Sequence, residues 1–228
     1  MRKVAIFDVD GTIFRSSLII ELVEQLIEDG VFPKAARLEF EKEYTTWLDR
    51  KGGYEDYIEA LVKAFMKYIK GVYYGDLADA AEKVSAYYMH RTYRYTRDFL
   101  VDLKKKKYFL LAISQSPKTV VEKFCKRLGF DKVYGRIYEI GPQDRFTGVV
   151  TDVHLIGNKA AIVRRAVEKE GLTLKGSIGV GDTQSDISFL ELVEKPICFN
   201  PNAALYRYAK RMGWKVVVER KDVVYELS

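Results

Sequence analysis

Cysteine is nearly absent from this chain of 228 residues, which holds only Cys125 and Cys198. So sparse a pair excludes a disulfide-built scaffold and fits a reducing cytosol, with both thiols acting as small buried apolar groups. Proline is scarce as well, with five in all and none between Pro33 and Pro117. Long apolar runs are missing: none approaches the ~18 residues of a membrane span. Asp8 and Asp10 interrupt the first apolar run before a signal-peptide core could form. The expectation is a cytoplasmic protein with no membrane partner. Internal repeats and low-complexity tracts are also lacking.

Charge is in excess, at a formal +6, which raises the question of a nucleic-acid partner. The excess is uneven: residues 15–92 carry 11 basic and 14 acidic side chains, so the remainder is strongly basic. Its densest run, KKKK at 104–107, lies between a helical pattern and a strand-like YFLLAIS. A solvated helix C-terminus explains lysines there, because they complement the macrodipole. No nucleic-acid motif accompanies them, and no such partner is expected.

What the chain does have is a set of short apolar runs: VAIF at 4–7, FLLAI at 109–113, IGVG at 178–181, ICF at 197–199 and KVVV at 215–218. These read as strands buried on both faces. Capped helical patterns separate them. Ser116, Pro117 and Gly129 bracket one; Asn158 and Gly171 a second; Asn200, Pro201 and Gly213 a third. RIYEIGPQDRFTGVV reads as a hairpin with a Gly-Pro turn. Strands alternating with helices predict an open, mostly parallel α/β sheet flanked by helices. One interval breaks the alternation, since no strand is expected between the first run and about Tyr108. A simple crossover needs far fewer residues, so 15–92 is read as a helical cap inserted after the first strand. The α/β core then comprises 1–14 and 93–228. Ten of the 16 tyrosines fall between Tyr44 and Tyr95, as packing residues or as the roof of a pocket.

In an open α/β sheet, ligands bind beyond the carboxyl ends of the strands. The residues at those ends are polar: Asp8 and Asp10 after the first run, Ser114, Gln115 and Ser116 after the second, Asp182, Ser185 and Asp186 after the third, with Lys159 opening a helix. Carboxylates converging on one edge repel one another unless a cation intervenes, and an all-oxygen ligand set suits Mg²⁺. A serine hydroxyl, a helix N-terminus and a lysine make an anion cradle beside it. Metal and cradle together point to phosphate. One carboxylate can attack phosphorus while a second moves the proton.

DVDGT at 8–12, Ser114, Lys159 and GDTQSD at 181–186 resemble the four ordered motifs of the haloacid dehalogenase superfamily. The helical segment is similar to the C1 cap of its phosphoserine phosphatase-like branch. The resemblance implies a Rossmann-like core and a Mg²⁺-dependent phosphatase that acts on a small phosphorylated metabolite through an aspartyl-phosphate. It makes Asp8 the nucleophile and a metal ligand, and Asp10 the general acid/base with its carbonyl on the metal. Ser114 and Lys159 would hold the phosphoryl group, with Gln115 beside phosphate or substrate. Asp182 would complete the metal site, and Asp186 would bind through water or orient its neighbours. His90 and His154 have no part in the scheme. A phosphotransferase or mutase is the alternative within enzymes, and a non-catalytic anion or nucleic-acid binder the distant one. A monomer or homodimer is expected.

The branch places a glutamate nine residues after the nucleophile to hold the substrate amine; this chain has Ser17 there, with Glu21 one helical turn on. SQS stands in place of Ser-Gly-Gly at the second motif. If Tyr54 is the aromatic that opens a cap helix, Leu61 occupies the position of an arginine. These departures reduce phosphoserine to one candidate substrate among several.

Overall fold

A computed structural model describes residues 1–151 and 156–227; His154 lies outside the described residues. Eight strands form one sheet in the order β4-β3-β2-β1-β5-β6-β7-β8. They are β1 (Arg2–Asp8), β2 (Phe109–Pro117), β3 (Lys132–Ile140), β4 (Phe146–Thr151), β5 (Leu172–Gly181), β6 (Lys195–Phe199), β7 (Lys215–Arg220) and β8 (Val223–Leu227). The inner pairs are parallel, and only the edge pairs β3–β4 and β7–β8 are antiparallel. Each apolar run of the sequence lies within one of these strands. Side-chain alternation supplies both faces of the sheet: Ala5 and Phe7 of β1 enter one apolar cluster, Val4 and Ile6 the other.

Helices α1 (Leu18–Glu28), α2 (Glu41–Leu48), α3 (Tyr54–Ile69), α4 (Tyr74–Tyr87) and α5 (Arg94–Lys105) all fall between β1 and β2. α6 (Lys118–Leu128), α7 (Lys159–Lys169), α8 (Ile187–Leu190) and α9 (Ala203–Met212) follow β2. The long interval is helical because its apolar residues recur on one face. In α3 these are Tyr57, Leu61, Ala64 and Phe65, all buried. Their core is continuous with the sheet face formed by Ala5, Phe7 and Ala112, so the helical segment rests on the sheet without a separate core.

The chain enters and leaves this segment side by side. Arg15 N donates to Arg91 O at 2.9 Å and Tyr93 N to Ile13 O at 3.0 Å. The β3–β4 hairpin ties to its middle, where Gly71 N donates to Phe146 O at 2.8 Å and Phe146 N to Val72 O at 2.9 Å.

Two helix starts differ from the sequence reading. α6 begins after Pro117, while Ser116 stays in β2 and donates its N–H to Ser114 Oγ at 2.9 Å. α9 is capped by Asn202, whose Oδ1 accepts from Leu205 N at 2.9 Å. Asn200 instead accepts from Glu219 N at 2.8 Å and pins β7. Asn158 does cap α7, accepting from Ala161 N at 3.0 Å.

Candidate active site

β1 delivers Asp8 to the carboxyl edge of the sheet, and the chain then folds back on itself. Ile13 N and Phe14 N both donate to Val9 O at 2.9 Å. Gly11 permits the turn: its φ is +81°, and a β-carbon there would collide with the Asp182 carboxylate. The turn leaves Asp10 pointing back into the cleft. Its Oδ1 accepts from Leu18 N at 2.6 Å and Ser17 Oγ at 3.2 Å, and its Oδ2 from Ser114 Oγ at 2.5 Å. Ser17 was legible only as a missing acid; in the fold its hydroxyl fixes Asp10.

Lys159, at the first turn of α7, is 3% exposed and donates to Asp8 Oδ1 and Asp186 Oδ1, both at 2.5 Å. Asp186 is fully buried, and its other oxygen accepts from Asp182 N and Thr183 N at 3.0 Å. Asp182 Oδ1 accepts from Thr12 Oγ1 at 3.1 Å. One oxygen each of Asp8, Asp182 and Asp186 lie within 4.8 Å of one another. Asp8, Asp10, Ser114, Lys159, Asp182 and Asp186 thus meet at one edge. Gln115 turns aside: its Nε2 donates to Ile156 O at 3.2 Å, and its Oε1 accepts from Arg136 at 2.7 Å.

The electrostatics follow from burying this many charges together. Burial pushes the Asp8 carboxyl up to about 8 against the pull of Lys159, with the Asp186 and Asp10 charges adding to the rise. Burial, then Asp8 and Asp186, hold the Asp182 carboxyl well above its ordinary range. For Lys159 burial works against the charge, but Asp186 and Asp8 outweigh it and raise the ammonium above its usual value. A single lysine therefore serves two of three clustered carboxylates.

The helical segment reaches the site through α3. Burial and then the charges of Asp10 and Asp182 raise the phenol of Tyr54, the first residue of α3. Trp47 lies 5.2 Å from its ring, and Glu55 accepts from Asn202 Nδ2 at 3.1 Å. Asn202 in turn donates its N–H to Asp182 O at 2.8 Å. The two positions relevant to phosphoserine are otherwise engaged. Leu61 is fully buried, and Glu21 is paired with Arg91 at 2.5 Å.

Residues 5–191, which include every one of these side chains except Asn202, match the haloacid dehalogenase-like hydrolase family. This chain is a haloacid dehalogenase-like hydrolase. The hydrolase is 26% identical over 222 residues to a histidinol-phosphatase of Neisseria meningitidis, covering 95% of this chain and 99% of that protein. A protein of unknown function from Bordetella pertussis shares its fold with a TM-score of 0.74 at 19% identity, covering 95% of this chain and 98% of that one. A phosphoserine phosphatase, solved as a phospho-aspartyl intermediate analogue, superposes with a TM-score of 0.62 at 21% identity over 97% and 95% of the two chains. With both structures the likeness is one of fold.

Proposed function

We propose that the hydrolase is a Mg²⁺-dependent phosphatase that cleaves a small phosphomonoester through a phosphorylated Asp8. The observation that carries this reading is the juxtaposition of two differently held acids. Asp8 is bound by Lys159 within the carboxylate cluster, and Asp10 is aimed by Leu18 N, Ser17 and Ser114. In the first step an Asp8 oxygen bonds to phosphorus, the bond to the leaving oxygen breaks, and Asp10 gives that oxygen its proton. In the second step Asp10 takes a proton from water, the water oxygen bonds to phosphorus, and the Asp8–phosphorus bond breaks. Ser114 and Lys159 meet the charge that develops on the phosphoryl oxygens.

The residues present fit a hard dication. Among the described residues, the second oxygens of Asp8 and Asp182 have no protein donor, and every candidate ligand is an oxygen. Asp8, Asp182 and the Asp10 carbonyl would hold the ion. Asp186 spends its oxygens on Lys159 and two backbone N–H groups, so it orients rather than ligates. When bound, Mg²⁺ supplies charge neutralisation and polarises the phosphoryl group.

The raised carboxyls predict a pH-dependent metal response. In the unfolded chain Asp8 ionises near 3.8, whereas in the metal-free fold it keeps its proton to about 8. The native state therefore binds more protons across that window, and metal-free stability falls as pH rises through it. Lys159, with a raised pKa of its own, stays charged throughout. Mg²⁺ requires the ionised carboxylates, so the rise in Tm on replacing EDTA by Mg²⁺ should be larger at pH 8 than at pH 6. An equal or smaller rise at pH 8 would contradict the assignment.

We take the helical segment, residues 15–92, as a cap over the core, docked through Glu55 and Asn202, and the cytosol as the place of action. Ser17 is spent on Asp10 and Leu61 lies in the core, so neither offers phosphoserine its expected contacts. Turnover of p-nitrophenyl phosphate with and without Mg²⁺ tests the reaction class. A panel that includes phosphoserine and histidinol phosphate tests the leaving group. Phosphoserine should run at least about 10-fold below the best substrate in kcat/KM, the order expected when a polar substrate group finds no partner. Phosphoserine as the best substrate would refute that assignment.

A further inference from the structure

Three buried polar atoms among the described residues lack a hydrogen-bond partner, and two of them, Arg136 Nε and Tyr138 Oη, sit two residues apart on β3. Positions two apart in a strand share a face. Burial raises the Tyr138 phenol to about 12, opposed by the charge of Arg136 and by a hydrogen bond between the two side chains. Arg136 is aimed from the other side, where its Nη2 donates to Gln115 Oε1 at 2.7 Å and Gln115 Nε2 donates to Ile156 O at 3.2 Å. Gln115 directly follows Ser114 on β2, and the Tyr138 ring lies 5.2 Å from Phe65 of α3. The pair therefore occupies the space between the phosphate-binding strand end and the helical segment.

No carboxylate among the described residues pairs with Arg136. Each other aside, neither group has a protein partner at these atoms, and native proteins rarely leave such buried donors without water or a ligand to receive them. Both groups can donate, and the arginine can only donate. What completes them is an acceptor-rich, negatively charged group.

We propose that Arg136, held by Gln115 and assisted by Tyr138, binds a second anionic group on the leaving-group portion of the substrate. The inference rests on the phosphatase reading and narrows its substrate class to phosphomonoesters that carry a carboxylate or a second phosphate. Gln115 then acts by positioning Arg136 and does not touch the phosphoryl group. A bidentate arginine contact to a carboxylate or phosphate is the geometry that such a planar fork provides.

Matched substrates read the effect directly. 3-Phosphoglycerate and glycerol 3-phosphate differ only in a carboxylate against a hydroxymethyl group, and fructose 1,6-bisphosphate against fructose 6-phosphate tests a second phosphate. The expected result is a preference of about 10-fold or more in kcat/KM for the member of one pair that carries the second anionic group, expressed in KM. In Arg136→Gln that ratio should collapse towards one, and Tyr138→Phe, which removes only a hydroxyl, should reduce it partway. A ratio near one in the wild-type enzyme would overturn the proposal. So would an Arg136→Gln enzyme that loses both members of a pair equally, since a purely structural role lowers activity without changing the ratio. Failure of the phosphatase reading looks different: no p-nitrophenyl phosphate turnover at all, with any metal.

Discussion

Asp8→Asn should abolish phosphatase turnover, by at least about 10⁴-fold in kcat, the scale of loss when a covalent nucleophile is removed. An asparagine amide has no carboxylate oxygen to bond to phosphorus, and no neighbour can take over. Asp10 is locked by three hydrogen bonds to Leu18, Ser17 and Ser114, and Asp186 spends its oxygens on Lys159 and two backbone N–H groups. The fold itself should survive. Lys159 keeps Asp186 as a partner, and one of the charges that crowd Asp182 disappears. Steady-state turnover of p-nitrophenyl phosphate in Mg²⁺, with circular dichroism as the control for folding, checks both halves. Residual activity within 100-fold of wild type would remove Asp8 from the nucleophile role.

Lys159→Met should be the most destabilising of the site substitutions. The ammonium is 3% exposed and contacts two buried carboxylates at 2.5 Å each. Its removal leaves Asp8 and Asp186 facing each other without a cation. Breaking a buried ion pair by removing one partner costs about 3–5 kcal/mol, which in a chain of this size lowers Tm by roughly 10 °C. Two further outcomes separate this cause from simple loss of packing. Mg²⁺ should restore part of the lost Tm, because it supplies positive charge to the same cluster. Well above pH 8, where Asp8 is ionised, adding Asp8→Asn to Lys159→Met should also recover stability, giving a coupling that a double-mutant cycle reads directly. A double variant less stable than Lys159→Met would contradict the electrostatic account.

Much of this site was legible before any coordinates, and the reason is local. A parallel strand ends in a short turn, so VAIF followed by Asp8 and Asp10, or IGVG followed by Asp182, places its carboxylates by backbone geometry alone. The helix caps show the limit of that logic. Asn158 was assigned correctly, but Asn200 yielded to Asn202, because Asn200 is held by Glu219 of β7, a partner 19 residues away. The contacts of Ser17, Tyr54 and Arg136 were illegible for the same reason. Ser17 matters through Asp10, Tyr54 through the packing of the helical segment over the core, and Arg136 through Gln115. Each depends on a tertiary contact that no periodicity encodes. The Gln115 side chain illustrates the point most clearly. Its place after Ser114 suggested phosphate, whereas its hydrogen bonds run to Ile156 and Arg136.

In the proposed reaction phosphorus passes through the carboxylate of Asp8. An acyl phosphate, unlike a free carboxylate, is reduced by borohydride to an alcohol, which converts a phosphorylated aspartate to homoserine. Wild-type enzyme turning over p-nitrophenyl phosphate in Mg²⁺ should be quenched with borohydride, digested and read by peptide mass spectrometry. Homoserine is expected at position 8, dependent on both substrate and Mg²⁺. Homoserine at Asp10, Asp182 or Asp186 instead, or active enzyme with no reduced residue anywhere, would contradict it.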